Sequence, residues 1–419
     1  MLSCYQCDET AVFCESETRR LFCTRKHRTQ YNEGWGTLLR NPRFIESLGT
    51  KRSFEQTPSA KLNLVETLPD DMLMEILLFT FHDVANNTKV MRDAINTRET
   101  SLRLRWLIDR YILSVVTELK DDSVLIEMDD DDLALFTGLQ TLRVSRLYNV
   151  FRDDNVVIRV SKLTDVGLTR VSPHLRLLEV YGDLFTDVGF ATLSKLEELV
   201  IMENNVLSDK GLGELSQLKR LEIKGKSNLD GTSFKNLASL KSLYLYDNES
   251  IETKALLFLS RSLIDLTIKY KTLLSYDPGL STMTKLESLT ISDPKIIRMP
   301  SFCSNQSLLV LPGLTQIKLF NVSEITNEGL ANLTRLRVLD VDYGTRITCS
   351  GTRPFVNTLE ELRIDKDFTD APEECMALFP KLKLVSLFTF MASNELIIKW
   401  EDATKKRGVE LYAYDIDVD

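Results

Sequence analysis

The amino-terminal residues read Cys4-x2-Cys7-x6-Cys14-x8-Cys23-x3-His27, four thiols and an imidazole within a short run. A Cys-x2-Cys pair can turn two thiolates toward one ion, and Cys23 with His27 can complete a tetrahedral set. Soft sulfur ligands in four-coordination favour zinc, so Cys4, Cys7, Cys23 and His27 are the expected ligands. So short a segment has too little apolar material for a core, and a metal would supply most of its folding energy. Two alternatives stay open: free thiols on a disordered tail, and a redox pair. Metal analysis of the purified protein should return about one zinc per chain, with protease resistance of this segment lost on chelation. Metal-free protein of equal resistance would contradict the assignment.

Residues for catalysis are missing elsewhere. The chain has three histidines, His27, His82 and His174. No Gly-x-Ser-x-Gly, His-Glu-x-x-His or Gly-x4-Gly-Lys-Ser/Thr run occurs, so acyl transfer, zinc proteolysis and P-loop chemistry lack their parts. The expectation is a protein that is not an enzyme. Its 419 residues carry a formal net charge of −9, which argues against a nucleic-acid partner. No apolar run approaches the ~20 residues that span a bilayer, and the start lacks the basic and apolar regions of a signal peptide. Cys303, Cys349 and Cys375 are scattered, which fits a reducing compartment, cytoplasmic or nuclear.

The larger part of the chain is periodic. Eleven copies of Leu-x-x-Leu-x-Leu, with Ile or Val allowed at the last two places, begin at Leu139, Leu175, Leu196, Leu218, Leu240, Leu263, Leu286, Leu314, Leu336, Leu359 and Leu382. Most starts are 21 to 23 residues apart. The 36-residue gap after Leu139 is expected to hide a degenerate copy around Ile158 and Val160. The 28-residue gap after Leu286 holds Pro294, Pro300 and Pro312, which predicts a longer loop. Val409 and Leu411 predict a last strand closing the array. Units of this length cannot fold alone and stack into a solenoid.

Between the strands recurs a second phrase: Leu163-Thr-Asp-Val-Gly-Leu168, Phe185-Thr-Asp-Val-Gly-Phe190, Leu207-Ser-Asp-Lys-Gly-Leu212 and Ile325-Thr-Asn-Glu-Gly-Leu330. Thr or Ser before Asp or Asn is helix-start chemistry, because a short side-chain oxygen accepts from otherwise unpaired backbone N–H groups. Each unit therefore reads strand, loop, short helix. This resembles the leucine-rich repeat, and specifically the subclass found in F-box proteins, without its usual Cys after the strand. The resemblance covers about residues 133–412 and implies an α/β solenoid, a parallel sheet on the concave face and short helices outside.

Strand alternation turns the leucines inward and the residues between them outward on the sheet. Outward positions include Arg220, Lys224, Lys269, Lys318 and Arg363. The expected target-binding residues are Tyr181, Met202, Tyr244, Tyr246, Phe320 and Phe388, since exposed aromatic anchors suit a protein interface. Ordinary cross-strand packing is the alternative.

Ahead of the repeats, residues 36–61 read as a polar linker. Then Leu68-Pro-Asp-Asp-Met-Leu-Met-Glu-Ile-Leu77 begins a helix, with Pro69 at its first position and Asp70 and Asp71 in the first turn. This opening resembles an F-box, which would span residues 62–118 as an all-α domain with further helices near Val84–Ala94 and Ser101–Val116. The resemblance implies docking on the Skp-type adaptor of a cullin–RING ubiquitin ligase, with Leu68, Pro69, Ile76 and Leu77 matching the contact helix. The polar stretch from His82 to Lys89 departs from the family pattern. Residues 1–35 resemble a reduced B-box or MYND-type zinc finger. The order finger, F-box, repeats is similar to that in proteins of large DNA viruses and would suit a host-directed adaptor. Together the resemblances imply the target-recognition subunit of a ubiquitin ligase. An interaction scaffold whose helical segment only caps the repeats is the alternative. The acidic run Asp129–Asp132 is expected to be a solvated helix start.

Overall fold

The computed structural model describes residues 69–81, 88–120, 125–126, 128–152, 155–248, 250–251, 253–269, 279–292, 303–322, 324–341, 346–365, 368–369, 371–388 and 394–414, with two short strands nearer the amino terminus. Cys4, Cys7, Cys23, His27, the linker, Leu68, Pro294 and Pro300 lie outside the described residues. The chain forms two compact units, Met1–Leu175 and Arg176–Asp419.

In the first unit, β1 (Phe13–Cys14) and β2 (Leu21–Phe22) pair antiparallel. Three helices follow: α1 (Asp70–Thr80), α2 (Thr88–Arg98) and α3 (Leu102–Ile108), which runs on into a π turn at Asp109–Leu113. Asp70 and Asp71 occupy the first turn of α1, where carboxylates meet the positive end of the backbone dipole. Pro69 sits at its N-cap, one residue before the position expected from the sequence. Helix α2 is described from Thr88, and Val84 lies outside the described residues. Ser101 starts α3 by accepting the Leu104 N–H at 3.1 Å. Leu73, Ile76 and Leu77 of α1, Met91 and Ala94 of α2, and Leu104, Leu107 and Ile108 of α3 are all buried. Arg103 Nε donates to Asp70 at 2.7 Å and ties α3 to the start of α1.

Beyond the helices, β3 (Glu118–Leu119) pairs parallel with β4 (Thr141–Ser145), the first of the expected repeat strands. Between them, α4 (Asp130–Leu133) is closed by a reciprocal cap: Asp129 accepts from the Asp131 and Asp132 N–H groups, and Asp132 accepts from the Asp129 N–H. The acidic run is therefore a helix start, as expected. Burial, with the neighbouring Asp129 and Asp131 charges, raises the Asp132 carboxyl above its ordinary range. The degenerate copy expected at Ile158 and Val160 is not a repeat strand. β5 (Leu147–Arg152) and β6 (Asn155–Val160) form an antiparallel hairpin, Ile158 opposite Asn149 and Val160 opposite Leu147. A strand run that can fold back across a tight turn closes on its neighbour in sequence at lower entropic cost than on a distant repeat. Helix α5 (Asp165–Val171) ends this unit.

The second unit is a leucine-rich-repeat solenoid. Its strands are β7 (Leu177–Tyr181), β8 (Glu198–Asn204), β9 (Arg220–Ser227), β10 (Ser242–Tyr246), β11 (Asp265–Lys269), β12 (Ser288–Ser292), β13 (Gln316–Phe320), β14 (Val338–Val341), β15 (Glu361–Ile364), β16 (Leu384–Phe388) and β17 (Glu410–Tyr414). Each pairs parallel with the next, in the order of the sequence. Equivalent leucines meet in register, Leu199 on Leu221, Leu243 on Leu266 and so on, and all are buried. Each such side chain contributes about 1.5–3 kcal/mol of burial, so stability accumulates along the stack. The returns are short: α6 (Asp187–Phe190), α7 (Asp209–Leu212), α8 (Asn305–Leu309), α9 (Pro372–Ala377) and 3-10 turns. The final strand predicted at Val409 and Leu411 is β17. It follows α10 (Asn394–Arg407), whose Trp400 is buried. Gly408, at φ 65°, stops α10 in the left-handed conformation that glycine adopts without strain. Val409 N–H then donates to Thr404 O at 3.1 Å.

Two of the repeats place a buried asparagine after the strand, Asn204 and Asn248. Asn204 donates to Gly182 O of the preceding repeat at 2.9 Å and accepts from Leu207 N–H at 2.9 Å. Asn248 does the same work with Ser227 Oγ at 2.8 Å and Ile251 N–H at 3.1 Å. A buried amide thus satisfies loop groups that would otherwise be orphaned.

The Thr-Asp phrase does more than cap. Thr164, Thr186, Ser208 and Thr326 each accept the N–H two residues on, as helix-start chemistry predicts. The acid or amide beside the cap reaches into the next repeat. Asp187 accepts from Ser208 N–H at 2.8 Å and Oγ–H at 2.5 Å. Asp209 accepts from Ser233 N–H and Oγ–H at 2.8 and 2.6 Å, and in the first unit Asp130 holds Thr164 N–H at 2.8 Å. Where Asn replaces Asp, the amide divides the task. Asn305 accepts Thr326 N–H at 2.9 Å and donates to Thr326 Oγ at 2.8 Å. Asn327 treats Thr348 in the same way. This explains the glycine of the phrase. A Cβ on Gly211 would lie 2.4 Å from the Asp187 carboxylate, and one on Gly351 would lie 2.2 Å from Asn327 Oδ1.

Cys349 and Cys375 fall on neighbouring repeats and form a disulfide with Cα atoms 6.0 Å apart. Linear spacing hides this pairing, which removes cysteine scatter as an argument for a reducing compartment. Among the described residues, no helix is long and apolar enough to cross a membrane.

Candidate protein-interaction surface

Parallel register sorts the outward side chains of the solenoid into three columns running across the strands. From β7 to β13 the third column reads Tyr181, Met202, Lys224, Tyr246, Lys269, Ser292 and Phe320. Tyr244 belongs to the central column, beside Glu222 and Thr267. Of the six aromatic and Met candidates, Tyr181 (44% exposed) and Tyr246 (37%) stand out most. Met202, Tyr244 and Phe320 are half-buried. Phe388 is 8% exposed: its strand pairs with β17, opposite Tyr414, and the side chain is part of the packed end of the array. It offers no anchor.

The Tyr pair is preorganised. The rings of Tyr244 and Tyr246 lie 6.4 Å apart and nearly parallel, at 10°. Lys224 Nζ sits 5.6 Å from the Tyr244 ring centroid, within cation–π range. On the same strand Lys224 pairs with Glu222 at 3.0 Å, and Arg220 pairs with Glu222 from the other side. Burial is the largest influence on the Glu222 carboxyl and pushes its pKa up. The Lys224 and Arg220 hydrogen bonds together outweigh it and hold the group below its ordinary value of 4.5. That set therefore stabilises the fold fully above the ordinary glutamate range, and its contribution is lost as pH falls through the lowered value. Acid titration of hydrogen-exchange protection in β9 should show the loss, and Glu222→Gln should remove that pH dependence.

Toward the other end, Arg363 lies in register with buried Asp340 and within 3.7 Å of both Asp340 and Glu361. Such ion pairs fix side-chain positions, Lys224 among them, beside the exposed Tyr181 and Tyr246. The pairing of Arg220 and Lys224 with Glu222 was missed in the sequence, although the i, i+2 spacing on one strand face is its visible signal.

The helical segment of the first unit carries a different surface. Ile76 and Leu77, expected as adaptor contacts, are 2% and 1% exposed. Both are packed in the three-helix core and not on its surface. Among the described residues of the segment, the exposed large apolar side chains are Leu102 (81%), Trp106 (48%), Leu78 (38%) and Val115. Leu102 and Trp106 are four residues apart on one helix face. Trp106 is held edge-on by Tyr111 with ring centroids 5.8 Å apart, and Arg110 stacks 5.5 Å above it.

No family model matches the sequence, and none of the curated proteins does. Solved structures do. An internalin (InlF) from Listeria monocytogenes is 20% identical, with a TM-score of 0.42 over 73% of this chain and 84% of its own. Internalin C2 (InlC2) from the same organism is 19% identical, with a TM-score of 0.31 over 57% and 87%. A chain of the yeast Rad7–Elc1 complex is 14% identical, with a TM-score of 0.39 over 85% and 98%.

Proposed function

We propose that the chain is a target-recognition subunit of a ubiquitin ligase and has no catalytic step of its own. The outward face of the repeats holds a protein target, and the α1–α3 segment docks on a Skp-type adaptor of a cullin–RING core. Transfer then follows from holding the target near the transferase, which raises its effective concentration. One observation carries the adaptor side of this reading. A three-helix segment opening with Pro69-Asp-Asp keeps Leu102 and Trp106 outside its own core, and exposed large apolar groups this close together mark interaction sites. The amino-terminal zinc segment would be a second protein-binding module.

Co-expression with a purified Skp-type adaptor tests the class. A stable complex is expected, lost in Leu102→Asp with Trp106→Ala, while circular dichroism stays unchanged because neither residue is in the core. Wild-type chain that never captures adaptor would leave a scaffold in place of a ligase subunit. On the target side, Tyr244→Ala with Tyr246→Ala should weaken target capture about tenfold or more, ~1.4 kcal/mol. Adaptor binding should be unaffected. An unaltered set of captured proteins would move the target site off this face.

A further inference from the structure

We propose that the repeat face takes an acidic peptide segment, held in an extended polyproline-II conformation between Lys224 and Lys269; this rests on the outward face being the target surface. From β7 to β13 the third column contains two ammonium groups, three aromatic rings and a thioether, and no carboxylate. The other two columns are mixed, with Glu198 and Asp265 in the first and Glu179 and Glu222 in the second. None of the seven third-column side chains is buried.

Charge favours an anion here. In register with Tyr246 stand Lys224 on one neighbouring strand and Lys269 on the other, in a chain whose net charge is −9. Glu222 engages Lys224 and Arg220. Lys269 makes no ion pair among the described residues, so an incoming carboxylate displaces nothing there.

Spacing sets the ligand's form. Lys224 and Lys269 stand on β9 and β11, two strand steps apart, which is about 10 Å. A polyproline-II chain returns to the same face every third residue, after about 9 Å. Two acidic residues at i and i+3 would therefore meet the two lysines, with the two residues between them passing over the Tyr246 ring. Tyr181 and Met202 on one side and Phe320 on the other would receive apolar flanks. Lysine, as a single point charge, suits carboxylates that need no bidentate grip.

Selection of a random peptide display library of about twelve residues against the full chain tests this. Enriched peptides should carry Asp or Glu three residues apart with apolar flanks. Their affinity, read by fluorescence polarisation of the synthetic peptides, should fall about tenfold in Lys269→Glu and in Lys224→Ala, and should weaken with salt. Lys269→Arg should retain most of it. Neutral or basic winners, or peptides that need Tyr246 but neither lysine, would overturn the acidic class and leave the face as the target surface. Peptides that depend on neither the tyrosines nor the lysines would overturn both readings.

Discussion

Ile76→Asp should unfold the three-helix segment and not merely unseat a partner. Ile76 is 2% exposed and packs in a core with Leu73, Leu104 and Leu107. A carboxylate there has no cation to pair with in that apolar set, and burying it unpaired costs several kcal/mol. That is a large fraction of what a small helical segment has to lose. The expected result is rapid proteolysis between Asp70 and Leu113, while residues 176–419 keep their hydrogen-exchange protection, since a solenoid draws its stability from neighbouring repeats. Adaptor binding would disappear too, for a trivial reason. Leu102→Asp is the informative variant, because its side chain is 81% exposed. A folded Ile76→Asp protein would show that the segment is not held by this core.

The second large effect lies in the rungs between repeats. Gly211→Ala places a methyl group 2.4 Å from the Asp187 carboxylate oxygen and 2.9 Å from the Asp187 Cα. Overpacking of this kind costs about 1–3 kcal/mol. Displacing the carboxylate also strips Ser208 N–H and Oγ–H of their acceptor, worth about another 1–3 kcal/mol. Asp187→Ala loses the acceptor without the clash. Because both changes break the same rung, the double variant should be less unstable than the sum of the two singles, a coupling of about 1 kcal/mol or more. Hydrogen-exchange protection of α6 and α7, with urea midpoints, gives the cycle. Strictly additive costs would mean that the carboxylate and the glycine are independent and that the rung is not a unit.

Much of the fold was legible because its information is periodic. Every Leu-x-x-Leu-x-Leu copy became a strand, and Leu411 marked the closing one. What was lost depended on partners a full repeat away. Thr-Asp was readable as a cap, since that bond is local. Nothing local shows that Asp187 also holds Ser208, although the glycine two residues after each Asp or Asn is the trace of it. Cys349 and Cys375 look unrelated until the repeat brings them together. Ile158 and Val160 fitted the gap by composition but answered to a turn between β5 and β6. Alternation alone makes the direction of the strand side chains legible: Tyr181 and Tyr246 are outward and exposed. Phe388 failed because alternation says which way a side chain points, and not whether the next strand covers it. Ile76 and Leu77 are buried, since apolar spacing on one helix face defines a core before it defines a contact.

If the surface around Leu102 and Trp106 meets the adaptor, the sheet face stays open for a target. Hydrogen–deuterium exchange of the full chain, with and without saturating Skp-type adaptor, tests it most directly. Slowed exchange in α1 and α3 is expected, with unchanged exchange across β7–β13. Protection spread over the sheet strands, or none in α1 and α3, would contradict it.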